Sequence, residues 1–432
     1  MAFQRVPTLV QLAKRILTNA KSLEASVAAS PTFQNDTMQR LPEPVDSVRK
    51  EIIDGTNLLN SLVRGGAGPF GRIQHTTSFT YLNELSLQAV YRYRIPQNVP
   101  VDQSISFTDL SKKVGVEESK LVRLLRHAMT YHMFYEPKKG SIAHTVDSRA
   151  LLDDPTLYDF VGTCIEDLRP ASSKVLDAFK KWPQSEEMNH CGFSLAWDTD
   201  KPMYAYLRDH PERMRRFAGL MARTTQPSSI RAATLVGSAY PWQDLKSGTV
   251  VDIGGGNGHI SVAIGESHPH LDFIIQDLQQ MPKEVQEKAV PQALKSKVQY
   301  QQHNFFAPQP VKGAVAYMLM QILHNWSDKY CVQILQQLIP ALEPGARIIV
   351  IDRVIPERGE VPDVEYHEVL TLDLIMMQLF NARERSLEDT KKMFALADPR
   401  FKWVGAYRVG PGPYTMLEAI WAPDEVHDTP TN

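Results

Sequence analysis

Cysteine is scarce: Cys164, Cys191 and Cys331 are the only three in 432 residues. Three thiols so scattered build neither a disulfide framework nor a closed zinc site, and they fit a reducing cytoplasm without a metal centre. An excess of charge of one sign is missing too, because 47 lysines and arginines face 49 aspartates and glutamates, a net charge of −2. Without a global field, neither nucleic acid nor an anionic membrane is an expected partner. There is no run of 18 apolar residues, and Arg5, Lys14, Arg15 and Lys21 interrupt the apolar residues of the first 26. A transmembrane span and a secretory signal are therefore not expected. Internal repeats and low-complexity tracts are also lacking. What remains is an ordinary globular composition, 43% apolar and 22% charged, long enough for two or three domains at about 100–200 residues each.

The texture changes along the chain. Residues 1–75 read as a helical arm, with Leu9, Val10, Leu12, Ala13, Ile16 and Leu17 at helical spacing and a second helix around Val48–Leu62 between proline- and glycine-rich loops. Residues 76–150 carry a helix Leu82–Tyr93, a short helix near Thr108–Lys113, Gly115, a helix Glu117–Met133 and a hairpin turn Phe134–Gly140. That order predicts a winged helix-turn-helix. Lys120, Arg123, Arg126, Lys138 and Lys139 raise a DNA-binding reading, but residues 106–145 hold seven basic against four acidic side chains. Leu121, Leu124, Leu125 and Met129 mark a face that must be packed, so a dimerisation role is the favoured reading. Residues 151–245 are helical and polar. Residues 246–432 alternate short β-branched runs with helices: Thr249–Ile253, Asp272–Asp277, Val298–Asn304, Ala314–Met320 and Arg347–Asp352, then a pair near Tyr407–Val409 and Met416–Trp421. This predicts an α/β fold, a doubly wound Rossmann-like sheet of seven strands with a C-terminal hairpin.

The first of those strands runs into Asp252-Ile253-Gly254-Gly255-Gly256-Asn257-Gly258-His259, a turn where backbone can approach a ligand that no Cβ would admit. The second ends at Asp277-Leu278, 21 residues beyond Gly256, the spacing at which an acid binds ribose hydroxyls. Gly254, Gly256, Gly258, Asp277 and Leu278 are thus candidate contacts to an adenosine-type cofactor. His259 stands where the dinucleotide fingerprint needs glycine, which favours a cofactor without phosphates, S-adenosyl-L-methionine (SAM).

With these runs, the chain from about Leu82 to Trp421 resembles the small-molecule, SAM-dependent O-methyltransferases of the plant caffeate type, in their fungal branch. The resemblance is carried by Arg123–Thr130, Glu136-Pro137, Ile142–Thr145, Asp252–Gly256, His303-Asn304-Phe305-Phe306, Ile322–Asp328 and Asn381–Arg385. It implies a homodimer, a small-molecule substrate, His324 as catalytic base, and Asp352 and Glu384 as the carboxylates that orient it. A neutral hydroxyl is a poor nucleophile toward a sulfonium methyl, so a base must take its proton as it attacks, and an acid on the far ring nitrogen fixes the imidazole.

The sequence departs from the family pattern at three places. Asn304, with Phe305 beside it, replaces the acid that holds the adenine amino group, Met320 replaces a cofactor-contacting cation, and Asn325 replaces the aspartate after the base. Some members of the fungal branch keep the fold and SAM yet act as leporin-type pericyclases or dehydratases on polyketide-derived pyridones. In that alternative, Diels–Alder, hetero-Diels–Alder or Alder-ene in type, His132 joins His324 in gripping a carbonyl oxygen and no methyl is transferred. In either case Phe193, Trp197, Met203, Tyr204, Met376, Met377 and Phe380 are expected to line an apolar pocket for a flat substrate.

Overall fold

The computed structural model describes residues 7–35, 41–66, 71–73, 79–410 and 414–423, with residues 43 and 222–235 by backbone alone. Residues 1–6, 36–40, 67–70 and 74–75 of the expected arm lie outside these. The chain forms two compact units, one of residues 1–169, 210–223 and 359–365, the other of residues 170–209, 224–358 and 366–432.

In the first unit, helices span Leu9–Ser26 and Glu43–Arg64, the second longer than its apolar spacing indicates. Thr8 caps the first helix through a reciprocal capping box with Gln11. The helices Tyr81–Arg92, Phe107–Val114 and Glu118–Met129 follow, with Gly115 at φ 70° supplying the left-handed turn between the last two. Strands β1 (Ile105–Ser106) and β2 (Ser141–Ile142) pair antiparallel beside them. Phe107, Leu110, Leu121, Leu125, Phe134 and Ile142 form the buried centre of this module. Leu124 and Met129 are only half-buried, and Arg126 is tied to Glu136 by two hydrogen bonds of 3.0 Å. The helix expected to reach Met133 stops at Met129, because His132 and Phe134 take left-handed backbone at φ 66° and 86°. Thr145 Oγ1 donates to the His132 carbonyl at 2.8 Å, which fixes that turn.

The second unit is built on one seven-stranded sheet. Its strands are β3 (Gly248–Ile253), β4 (Leu271–Asp277), β5 (Val298–Gln302), β6 (Ala316–Met320), β7 (Arg347–Arg353), β8 (Phe401–Arg408) and β9 (Tyr414–Trp421). The order is β5-β4-β3-β6-β7-β9-β8; β3 to β7 run parallel and β9 is antiparallel to both its neighbours. Both faces are buried, so successive residues serve opposite layers. Val250, Met318, Ile349 and Ile351 pack on one side, and Val251, Tyr317, Leu319, Ile348 and Val350 on the other. The last two strands are longer than their apolar runs suggest. A bulge between Trp403 and Gly405 breaks the alternation of β8, and every second residue of its outer half is exposed. The strand expected to reach Asn304 ends at Gln302, and Asn304 turns the chain instead, its Oδ1 accepting from Phe306 N at 3.1 Å. The order reverses between β3 and β6, which sets the loops after these strands at the switch point where α/β sheets bind ligands.

Candidate active site

The loop after β3 is shaped by close approach. Gly254 N and Gly255 N both donate to the Gln276 carbonyl, at 2.8 and 3.1 Å, which bends the chain out of the sheet. At Gly258, φ is 78° and a Cβ would collide with Ile275 Cδ1, so glycine is required twice over. Gly256 differs: φ is 54°, yet no atom lies within 4 Å of the place a Cβ would take. Its backbone faces open space, and its N–H donates to Asp277 Oδ2 at 3.2 Å. The other oxygen of Asp277 accepts from Leu278 N at 2.7 Å, while the Leu278 side chain is exposed. Two donors on one carboxylate fix its plane and leave lone pairs for hydroxyls. Below this loop Asp252 is buried and accepts from Ser261 Oγ at 2.6 Å; burial pushes its carboxyl up to about 6.

Gln276 and Gln309 join the end of β4 to the loop 303–311 that carries Asn304 and Phe305. Each amide nitrogen donates to the other's oxygen at 2.9 Å, both side chains buried. Asn304 is exposed, Phe305 half-buried against Trp326, and Met320 half-buried at the end of β6.

Beyond Met320 the backbone turns sharply through Gln321, whose φ of 52° is left-handed without being glycine. Gln321 N donates to the Ile351 carbonyl, and its own carbonyl accepts from Asn325 Nδ2 at 3.0 Å, a use of Asn325 that an aspartate would not offer. The short turn Leu323–Asn325 presents His324, whose side chain is 11% exposed. Its Nδ1 lies 2.9 Å from Glu384 Oε1. A carboxylate there requires the proton on Nδ1 and leaves Nε2 as the acceptor. Burial opposes the imidazolium, but the Glu384 hydrogen bond and the charges of Asp352 and Glu384 outweigh it, so the His324 pKa stands above its ordinary value. Asp352, at the end of β7, is buried beside this pair; burial first, and the Glu384 charge next among the raising causes, push its carboxyl up to about 7. Glu384 stands between the helices Asp363–Phe380 and Leu387–Ala397, and its N–H donates to Asp373 Oδ1 at 2.8 Å.

Arg385 is a residue whose part the sequence reading missed. Buried, it donates through Nη1 to the Leu323 carbonyl at 2.9 Å, through Nη2 to the Trp326 carbonyl at 2.8 Å and to Asp328. It therefore grips the His324 turn on both sides. Its signal lies in the run Asn381–Arg385, which carries the family resemblance and Glu384.

Of the expected pocket residues, Phe193, Met203, Met376 and Phe380 are buried, Trp197 and Met377 half-buried, and Tyr204 exposed. Phe193 meets Trp197 edge-on at 6.5 Å, and Tyr204 stacks on Phe380 at 5.3 Å. Cys191 Sγ donates to the Leu379 carbonyl and Asn381 Nδ2 to the Ser185 carbonyl, which bind this segment to the end of the helix Asp363–Phe380. His132 belongs to the first unit, exposed and stacked on Phe33 at 3.6 Å.

Residues 179–398 match the family model of the O-methyltransferase domain. The chlorophenol O-methyltransferase of Trichoderma longibrachiatum is 36% identical over 409 residues, 92% of this chain and 86% of that protein. Among solved structures, OxaC in complex with SAH and oxaline superposes with a TM-score of 0.71 at 20% identity, covering 95% of this chain and 98% of its own. A structure described as a pericyclic reaction enzyme does so at 0.66 and 22%, covering 95% and 100%. At such identities the two structures speak to the fold alone.

Proposed function

The chain belongs to the O-methyltransferase family, and on that premise we propose that it moves the methyl group of SAM to a hydroxyl of an aromatic or polyketide-derived metabolite. The observation that carries this reading is the His324–Glu384 contact of 2.9 Å at the end of β6, which leaves the outer ring nitrogen free to take a proton. SAM supplies an electrophilic methyl on a sulfonium. The residues present fit it: Gly256 offers bare backbone beside Asp277, whose carboxylate suits ribose hydroxyls, with Gly254, Gly258 and Leu278 shaping the same loop. Asn304 and Phe305 would meet the adenine, and Met320 would lie along the methionine part.

His324 takes the substrate's proton as its oxygen attacks, and Asp352 and Glu384 stabilise the imidazolium that forms. Phe193, Trp197, Met203, Tyr204, Met376, Met377 and Phe380 would hold a flat, apolar ring against the base. A phenolic acceptor agrees with the similarity to the chlorophenol O-methyltransferase of Trichoderma longibrachiatum. The segment 76–150 serves in dimerisation, and the enzyme is a cytoplasmic homodimer in this reading.

A second reading, a SAM-holding pericyclase or dehydratase acting on a pyridone with His324 and His132 as hydrogen-bond donors, is favoured by Met320 at the position of a cofactor-contacting cation. One experiment separates the two: incubation with methyl-labelled SAM and hydroxyaromatic or alcohol-bearing pyridone substrates, read by product mass against heat-killed enzyme. A labelled methyl in the product supports methyl transfer. An isomer, or a product lighter by one water with SAM intact, replaces it with the second reading.

A further inference from the structure

Behind His324, on the side of the sheet that Val350 faces, lies a small cavity of about 10 Å³. Its walls include His324, Asp352, Glu384, Arg385, Thr390 and Leu417. All but His324 are among the buried residues. Three side-chain atoms of the residues that line it, Asp352 Oδ1, Glu384 Oε2 and Arg353 Nε, have no hydrogen-bond partner among the described residues, although each is shielded from solvent, and the Arg353 charge opposes the His324 imidazolium. A carboxylate oxygen left in that condition costs free energy, and native interiors rarely leave one so. Arg385 does not answer them, because its guanidinium is committed to the Leu323 and Trp326 carbonyls and to Asp328. Thr390 does not either, since its hydroxyl donates to the Ser386 carbonyl.

We propose that this cavity is a binding site for a single water molecule that donates one hydrogen to Asp352 Oδ1 and the other to Glu384 Oε2. The volume is that of about one water-sized probe, and the site offers the two polar partners a buried water needs. The water's role follows from where its hydrogens point. Burial disfavours the charged form of Asp352, and a hydrogen bond donated to its free oxygen favours it. A water with both hydrogens turned inward stabilises the charged form of Asp352, and with it the positive charge His324 acquires on taking a proton. Its occupancy therefore sets how strong a base His324 is. This role, though not the water's presence, rests on His324 being the base.

The direct test is a crystal structure of the wild-type protein at a resolution that shows ordered solvent. A spherical peak within about 3.2 Å of both oxygens is expected. Direct contact between the two oxygens, with a shared proton and no peak, would overturn the proposal, as would an empty cavity. The functional test is Val350→Ile, which places one methylene in the cavity and replaces no polar side chain. The peak should vanish, and the acidic limb of the kcat/KM profile should move to lower pH by about one unit as Asp352 becomes neutral more readily. A variant that folds, loses the peak and keeps the wild-type profile would overturn the role in basicity. If His324→Ala stays active, the base assignment fails while the crystallographic result for the water stands.

Discussion

Gln276 and Gln309 donate to each other across 2.9 Å in both directions, a closed ring of two buried amide hydrogen bonds at the end of β4. Gln276 precedes Asp277 and its carbonyl takes the N–H groups of Gly254 and Gly255, while Gln309 anchors the loop of Asn304 and Phe305. One amide pair thus ties the end of β4, with the glycine turn and Asp277, to the loop of Asn304 and Phe305. Gln309→Leu leaves the Gln276 amide short of a partner and should cost about 1–3 kcal/mol of stability. It should also weaken SAM binding in calorimetry with little change in kcat at saturation; unchanged affinity would refute the role.

Arg385 holds the turn that presents His324. Arg385→Lys keeps a charge for Asp328 but cannot span the Leu323 and Trp326 carbonyls in one plane. Turnover should fall by about tenfold or more, since misplacing a base by a fraction of an ångström is costly, with KM for SAM close to wild type. A fall in stability alone, with kcat preserved, would make Arg385 a structural residue.

His324→Ala should abolish turnover and leave SAM affinity nearly unchanged. Asp277→Ala should do the reverse in binding, weakening SAM by about tenfold or more as the ribose hydroxyls lose a charged acceptor. Calorimetry on both variants checks the pair, and a swap of the two phenotypes would exchange the assigned roles.

The pH dependence has a definite sign. A base must be neutral to act, and the His324 pKa lies above its ordinary 6.5, so kcat/KM should begin to fall on the acid side at a pH above 6.5. A limb centred below 6.5 would contradict this. For stability, Asp352 is raised from 3.8 to about 7 and Asp252 from 3.8 to about 6, so folding favours the protonated forms. The contribution of each is present in full below pH 3.8 and is lost as pH rises through the folded value. His324, also raised, acts in the same direction, from below 6.5 upward. Asp352→Asn should therefore raise Tm relative to wild type at pH 8, with the gain shrinking toward pH 4.

The strands, the glycine turn and Asp277 were legible because each carries a local signature: β-branched runs, Gly-x-Gly-x-Gly, and an acid at a fixed distance. His324, Asp352 and Glu384 were located by resemblance, and the structure gathers all three on one cavity. What escaped has no local period. Gln276 and Gln309 are 33 residues apart, and Arg385 reaches back 62 residues to Leu323. The early end of the helix at Met129 escaped for another reason, since the left-handed residues after it are a histidine and a phenylalanine rather than glycine. Tertiary contacts such as Thr145 on the His132 carbonyl hold that conformation, and no neighbouring residue announces it.

The place of β9 between β7 and β8 has a consequence for synthesis. Asp352 pairs across the ladder with Thr415, which leaves the ribosome 63 residues later. Until then the edge of β7, apolar on both faces, has no neighbour, and such an edge is a template for mispairing between nascent chains. The glycine turn, Asp277, the Asn304 loop, His324 and Glu384 all leave the ribosome before β9 does, so the strand that completes the sheet beside Asp352 is among the last parts of this unit to be made.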